Sequence, residues 1–234
     1  MDLKGAWSGF VEQFVTYGGW KKLVEGLGNT LLIYLAGLAI GIIIGTLLAI
    51  TKVVPQKKKH TRVFSKLTDI YVALFRGTPI VVQLLVMYYV ILPLLNWDQP
   101  AVAVAIVGFG LNSGAYICEI MRSGILSVDP GQTEAGRALG FSGFRTMTSI
   151  VLPQAVKNIL PTLGNEFIAL VKETSVLSLI TVLDLTSAFE QLGSGNYEYV
   201  VPYMVLALFY MVIIFIFTVL VRLLERRLRA SEKR

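Results

Sequence analysis

Cysteine and histidine are almost missing from this sequence: Cys118 and His60 stand alone among 234 residues. One cysteine excludes an internal disulfide framework, and one histidine argues against a multi-histidine metal site or a histidine-paired catalytic dyad. Charge is sparse as well, at 15% of positions, where a soluble domain carries about a quarter. No G-x-x-x-x-G-K-[ST] stretch occurs, so the chain has no phosphate-cradling loop of its own. H-E-x-x-H and G-x-S-x-G are absent too. What abounds is apolar surface: 55% of residues are hydrophobic, and the mean hydropathy is +0.68. Apolar stretches of about 20 residues match what a helix needs to cross roughly 30 Å of hydrocarbon. The chain reads as a polytopic membrane protein.

Backbone polar groups in a bilayer are satisfied only inside helices or closed barrels, and long unbroken runs favour helices. The fold class is therefore all-α, with five transmembrane helices placed at 30–51, 69–95, 101–125, 159–183 and 200–221. Arg76, Gly77 and Pro79 interrupt the second, Glu119 and Arg122 lie near the end of the third, and Glu166, Lys172 and Glu173 fall within the fourth. Lys52, Lys57, Lys58, Lys59, Arg62 and Lys66 follow the first span, which marks that loop as cytoplasmic. Five spans then put the N-terminus outside and the C-terminus in the cytoplasm. The tail agrees, with Arg222, Arg226, Arg227, Arg229, Lys233 and Arg234, whereas 96–100 and 184–199 hold acids and no lysine or arginine. Three regions follow: an outer-face interfacial segment at 1–25, a transmembrane domain at 26–226 and a basic cytoplasmic tail at 227–234. Anionic inner-leaflet lipid accounts for the net charge of +6 without nucleic acid.

Within 1–25, Phe10, Phe14 and Tyr17 share a helix face beside Trp7 and Trp20, as expected of a helix anchored at the interface. A cleaved signal peptide fits poorly, because Asp2 and Glu12 intrude and the apolar run begins late. Gly37, Gly41 and Gly45 repeat at four-residue spacing, a stripe that admits a close helix neighbour. The cytoplasmic segment 127–153 has its own pattern. Asp129 is a helix N-cap, Pro130 the first helical residue and Gln132 the return partner of a capping box. Gly140 is a left-handed stop, and Ser142 caps a second helix toward Leu152. A helix, a bend and a helix at the inner face could dock into a partner or form a structural hairpin.

Glu134-Ala135-Gly136, Gly140, Ile150 and Leu152-Pro153 resemble the E-A-A, three residues, G, nine residues, I-x-L-P motif of ATP-binding-cassette importer permeases. The chain departs at Gly136, where that family usually has alanine. Phe75-Arg76-Gly77-Thr78-Pro79, Gly114-Ala115-Tyr116 with Glu119 and Arg122, Leu152-Pro153-Gln154-Ala155 and Lys172-Glu173-Thr174-Ser175 resemble its polar amino-acid branch in particular. The resemblance implies a permease subunit in a bacterial plasma membrane. It would pair with a second permease, identical or homologous, with two cytoplasmic ATPases and with an extracytoplasmic solute-binding protein. It also implies that the chain is no enzyme and holds no cofactor, ATP and magnesium being bound by the ATPases. Glu134, Ala135, Gly136, Leu139, Gly140 and Ile150 would be the ATPase-coupling residues. The other reading of Glu134 is helix capping and solubility.

Polar residues inside a membrane are costly and usually face a bundle interior or a water-filled cavity. Arg76 lies about 15 Å beyond Lys66 along a helix, near mid-membrane. Gly77 and Pro79 could break the helix there and expose backbone groups of the kind transporters use. Gln83 shares the face of Arg76. Asn112, Tyr116, Glu119 and Ser123 form a stripe on the third span, although Glu119 and Arg122 could simply pair. In the fourth span Asn165 and Lys172 share one face, and Glu166 and Glu173 another. The substrate-binding candidates are thus Arg76, Gln83, Asn112, Glu119, Asn165, Glu166 and Lys172. Arg76 or Lys172 would meet a substrate carboxylate and Glu166 an amine or guanidinium, which favours basic over glutamine-like amino acids. The opposing reading makes Glu166, Lys172 and Glu173 an ion-paired scaffold. An ion-coupled secondary transporter is disfavoured because no duplicated halves are visible. A membrane-embedded enzyme lacks a nucleophile and base.

Overall fold

The computed structural model describes residues 3–53 and 59–230, and among these there is no β-strand. Helix α1 (Leu3–Val11) runs through a wide π-type turn, Glu12–Thr16, to Gly18, whose φ of +73° reverses the chain into α2 (Gly19–Val53). Helix α3 (Lys59–Gly77) breaks at Thr78–Pro79 into α4 (Ile80–Val86), which continues through a second wide turn, Met87–Ile91, to the short α5 (Leu92–Leu94). Next come α6 (Ala101–Leu126), α7 (Pro130–Ala138) and α8 (Gly143–Thr146). Helix α8 passes through the turn Met147–Val151 into α9 (Leu152–Glu173), and a tight 3-10 turn follows at Thr174–Ile180. Helices α10 (Leu185–Ser194) and α11 (Val200–Ala230) complete the chain.

The pair α2 and α6 forms the spine, and the glycine stripe is why they lie so close. A Cβ placed at Gly37 would come 2.7 Å from Cβ of Phe109, one at Gly41 would run into Ser113, and one at Gly45 would come 2.7 Å from Cβ of Ile117. The fit is reciprocal, since Gly110 and Gly114 of α6 receive Ile40 and Ile44 of α2. The partner of the stripe is therefore in the same chain. A core of Ile33, Tyr34, Leu84, Phe109, Leu170, Leu177 and Ile180 ties α2, α4, α6, α9 and the 3-10 turn together. Phe10, Leu23, Leu185, Phe189, Leu192 and Val201 form a second core, joining α1 to α2, α10 and α11.

Among the described residues, α2, α6 and α11 as far as Arg226 are each long and apolar enough to cross a bilayer. Lys59–Gly77 and Ile80–Leu94 pass that test only as a pair, and they meet at 104°, so the expected span at 69–95 is a sharply bent element. The expected span at 159–183 is α9 plus the 3-10 turn, too polar to qualify by apolarity, with Thr181 at φ +65° ending it. Boundaries move as well. Helix α2 begins at Gly19, so the division at residue 25 falls inside a helix. Lys59, Arg62 and Lys66 lie on α3 rather than in a loop. Lys57, Lys58, Lys233 and Arg234 lie outside the described residues. The aromatic face of the N-terminal segment divides: Phe10 and Phe14 stack at 5.9 Å and pack into the second core, whereas Tyr17 is exposed. The π-type turn between them adds backbone per turn and rotates Tyr17 off the face.

Candidate functional site

The break in the second element controls the site. Pro79 has no N–H, and with φ −64° and ψ 141° it begins a new helix in a different direction. Carbonyls near the break lose their helical donors and need others inside a bilayer. Thr78 Oγ1 donates to the Leu74 carbonyl at 2.8 Å. The Gln83 amide donates to the carbonyls of Phe75 and Thr78, at 2.8 and 2.9 Å, and to Thr78 Oγ1 at 2.9 Å. Asn112 of α6 donates through Nδ2 to Gln83 Oε1 at 3.0 Å and also approaches the Phe75 carbonyl. Tyr71 Oη donates to the Leu111 carbonyl at 2.5 Å, a second tie between α3 and α6.

Arg76, one residue before the break, lies exposed with its guanidinium 5.3 Å from the centre of the Tyr116 ring. It is within electrostatic reach of Glu119 on α6 and of Glu166 on α9. Glu119 itself is held by Arg122, whose Nε donates to Oε2 at 2.9 Å and whose second nitrogen closes a fork on Oε1. Glu166 is half-buried and feels both Arg76 and Glu173, and Lys172 acts on Glu173. Among the described residues neither Glu166, Lys172 nor Glu173 takes part in an ion pair. Asn165 and Lys172 are exposed on α9. The structure thus sets Arg76 beside Tyr116 and within electrostatic reach of Glu119 and Glu166, which come from α6 and α9. Gln83 and Asn112 stand beside them, engaged with the break. Ser123 ends the stripe differently: exposed, it donates to its own helix at Ile120, where the C-terminal end of α6 meets α9 near Asn158.

Sequence reasoning passed over two features. At one end a cavity of about 590 Å³ is lined by Glu25, Asn29, Tyr88, Asp98, Gln99 and Thr181. The segment behind it is pinned by Asn29 Nδ2 donating to the Leu183 carbonyl and by Tyr88 Oη 3.1 Å from Thr181 Oγ1. Asp184 then caps α10, accepting from the N–H groups of Thr186 and Ser187. Burial pushes its carboxyl up, against the pull of those N–H groups. At the other end Lys52 pairs with Asp69 and donates to Ser65, joining α2 to α3. Both depend on residues brought together across long stretches of chain, and no local spacing announces them.

The segment 127–153 folds largely as its spacing predicts. Asp129 accepts from the Gly131 N–H at 2.8 Å and Ser142 from the Arg145 N–H at 3.3 Å. Gly140 sits at φ +78°, with its N–H bonded to the Arg137 carbonyl and that of Phe141 to Gly136, the paired pattern of a glycine-terminated helix. The capping box is only half made: Gln132 accepts from Gln154 at 3.2 Å rather than returning to Asp129. Glu134, Ala135, Leu139 and Gly140 are exposed, Ile150 is half-buried and Gly136 is buried. Leu139 and Phe144 stand 73% and 80% exposed at the tip. The second helix does not stop at Leu152 but runs on into α9, so the hairpin is continuous with the helix bearing Glu166.

Residues 23–230 match the family model described as binding-protein-dependent transport system inner membrane component. The arginine transport system permease protein of Bacillus subtilis is 37% identical over 210 residues, covering 90% of this chain and 94% of that protein. A putative glutamine transport system permease protein of Rickettsia bellii is 37% identical over 209 residues, covering 89% and 94%. The crystal structure of an amino acid ABC transporter with histidines matches with a TM-score of 0.81 at 38% identity, over 92% of this chain and 96% of that one. A methionine ABC transporter in inward-facing form shares the fold at 22% identity, with a TM-score of 0.67. Family and fold agree with a multi-pass inner-membrane protein that leaves ATP hydrolysis to a separate subunit. The chain belongs to the family of inner-membrane components of binding-protein-dependent transport systems.

Proposed function

We propose that this permease subunit, part of an ATP-binding-cassette importer for amino acids, passes basic amino acids. Arg76 would meet the substrate carboxylate and Glu166 its cationic side chain. The observation that carries the reading is that Arg76 on α3 and Glu166 on α9 lie within electrostatic reach of each other, while among the described residues no ion pair satisfies Glu166. A carboxylate placed in this way is worth most when a cation arrives to pair with it. Glu119, Asn165 and Lys172 would border the same path. Glu25 and Asp98 at the outer cavity support the preference, since acids at a mouth attract cations. The arginine system named for the Bacillus subtilis relative points the same way. A glutamine-type substrate is the second reading, favoured by the Rickettsia relative of equal identity.

The remaining parts follow the family. Five membrane passages, with α9 and its 3-10 turn as the fourth, put the N-terminus outside and α7–α8 in the cytoplasm. Half a pathway is supplied by one chain and the other half by a second permease, identical or homologous. Two ATPases would seat the tip formed by Glu134, Ala135, Leu139, Gly140 and Phe144, with Gly136 and Ile150 packed behind it. An external solute-binding protein would deliver the substrate. The test is competition uptake in the assembled importer with Glu166→Gln. Arginine should lose its advantage over glutamine by about tenfold, the equivalent of about 1.4 kcal/mol for one charge-assisted contact. An unchanged preference removes Glu166 from selectivity and with it the basic-substrate reading.

A further inference from the structure

We propose that Gln83 and Asn112 form a latch that fixes the bent α3–α4 element against α6 and so sets where Arg76 stands; they position the site and do not bind substrate. The geometry leaves Gln83 little else to offer. Its NH2 group is committed to two backbone carbonyls and one hydroxyl around the break, and its Oε1 accepts from Asn112. Asn112 is 3% exposed, sealed behind the break rather than open to a path. Without Gln83 the Thr78 carbonyl would lose its side-chain donor and the Phe75 carbonyl would keep only the 3.5 Å approach of Asn112, where the chain turns by 104°. One unpaired and one weakly paired carbonyl at membrane depth are costly enough to favour a different bend. Arg76 follows Phe75 directly, so any change of bend moves the guanidinium relative to Tyr116 and Glu166. Because Asn112 belongs to α6 and Gln83 to α4, the latch also makes the bend depend on how α6 sits.

The latch rests on the proposed function only for the role of Arg76; its geometry is tested separately. Spin labels at Val63→Cys and Val90→Cys, both about half-exposed, report the angle between the two limbs, and Cys118 at 1% exposure stays unlabelled. In the assembled importer, Gln83→Leu, Asn112→Leu and the double variant should each shift or broaden the distance distribution between the labels. Transport kcat should fall about tenfold in each single variant, with the double variant no worse than the poorer single, as for residues acting as one unit. The ratio of KM for arginine to KM for glutamine should stay within about twofold, because no ligand has been removed. Where leucine prevents assembly, Gln83→Glu keeps the shape. The latch predicts the same broadening for it, whereas a Gln83 that binds substrate predicts a lower KM for arginine. An unchanged distribution, additive losses or a KM ratio that moves overturns the latch. If the distribution broadens while Glu166→Gln leaves preference unaltered, the latch stands and the substrate reading falls.

Discussion

Gly41 shows how much one residue can decide in a fold held by close helix contact. A methyl group there would meet not only the movable hydroxyl of Ser113 but its Cβ at 2.9 Å and the Gly114 nitrogen at 3.1 Å, neither of which can rotate away. Gly28 on the same helix has open space around it. Gly41→Ala should therefore lower the thermal midpoint of the detergent-solubilised protein, by the about 1–3 kcal/mol typical of overpacking. Gly28→Ala should leave the midpoint unchanged or raise it, since alanine is the better helix former. Equal behaviour of the two variants would mean that the spine is looser than described. The stripe was legible in the sequence because four-residue spacing is itself the geometry of a helix face. The Glu119–Arg122 pair was legible for the same reason, at three-residue spacing. The engagement of Gln83 and Asn112 was not: 29 residues separate them, and they meet only because the chain bends by 104° at Pro79. Polar character and shared faces marked both as functional without saying what they would touch.

At the scale of elements, the hairpin of α7 and α8 was the most readable part, because caps and left-handed stops are set by a few adjacent residues. Its continuity with α9 was not readable, since the wide turn at Met147–Val151 has no sequence signature of its own. The same holds for α10, which lies within the acid-bearing segment 184–199, although Asp184 just before Leu185 is an N-cap residue type. The departure from the family motif finds its cause here. A Cβ at Gly136 would lie 2.7 Å from Thr146 Cγ2 and 2.8 Å from its Oγ1, so glycine lets α7 rest on a buried, β-branched residue of α8. Gly136→Ala should destabilise the hairpin by about 1–3 kcal/mol, seen as faster proteolysis within 127–153 or a lower thermal midpoint. Adding Thr146→Ala should return part of that loss, less the hydrogen bond from Thr146 Oγ1 to the Ser142 carbonyl. A double variant no better than Gly136→Ala alone would show that Thr146 is not the obstacle. Uncoupled ATP hydrolysis in Gly136→Ala, with normal stability, would place its effect at the ATPase contact instead.

For the whole molecule, the distribution of exposed groups gives a direction that can be checked. Helix α11 shows Met204, Leu208, Met211 and Phe215 to its surroundings, as a lipid-facing helix should. At one end stand Leu139 and Phe144 on a hairpin whose first helix, α7, is otherwise polar. At the other is Tyr197, 90% exposed at φ +56°, in the acid-bearing turn between α10 and α11. Large apolar side chains held out at the end of a short folded hairpin are suited to a partner's groove, not to water. With lysine and arginine on the early residues of α3, the basic-inside bias predicts the hairpin in the cytoplasm and Tyr197 outside, the orientation proposed above. Because Cys118 is buried, single cysteines can be read against it without removing it. Intact cells treated with a membrane-impermeant maleimide should label Tyr197→Cys and spare Phe144→Cys, and inverted vesicles should do the reverse. Adding the ATPase subunit to vesicles that hold the permease alone should protect Phe144→Cys and leave Arg226→Cys, exposed towards the C-terminal end of α11, open to reagent. Labelling of Phe144→Cys from outside the cell would place the hairpin on the wrong side of the membrane and detach it from any ATPase.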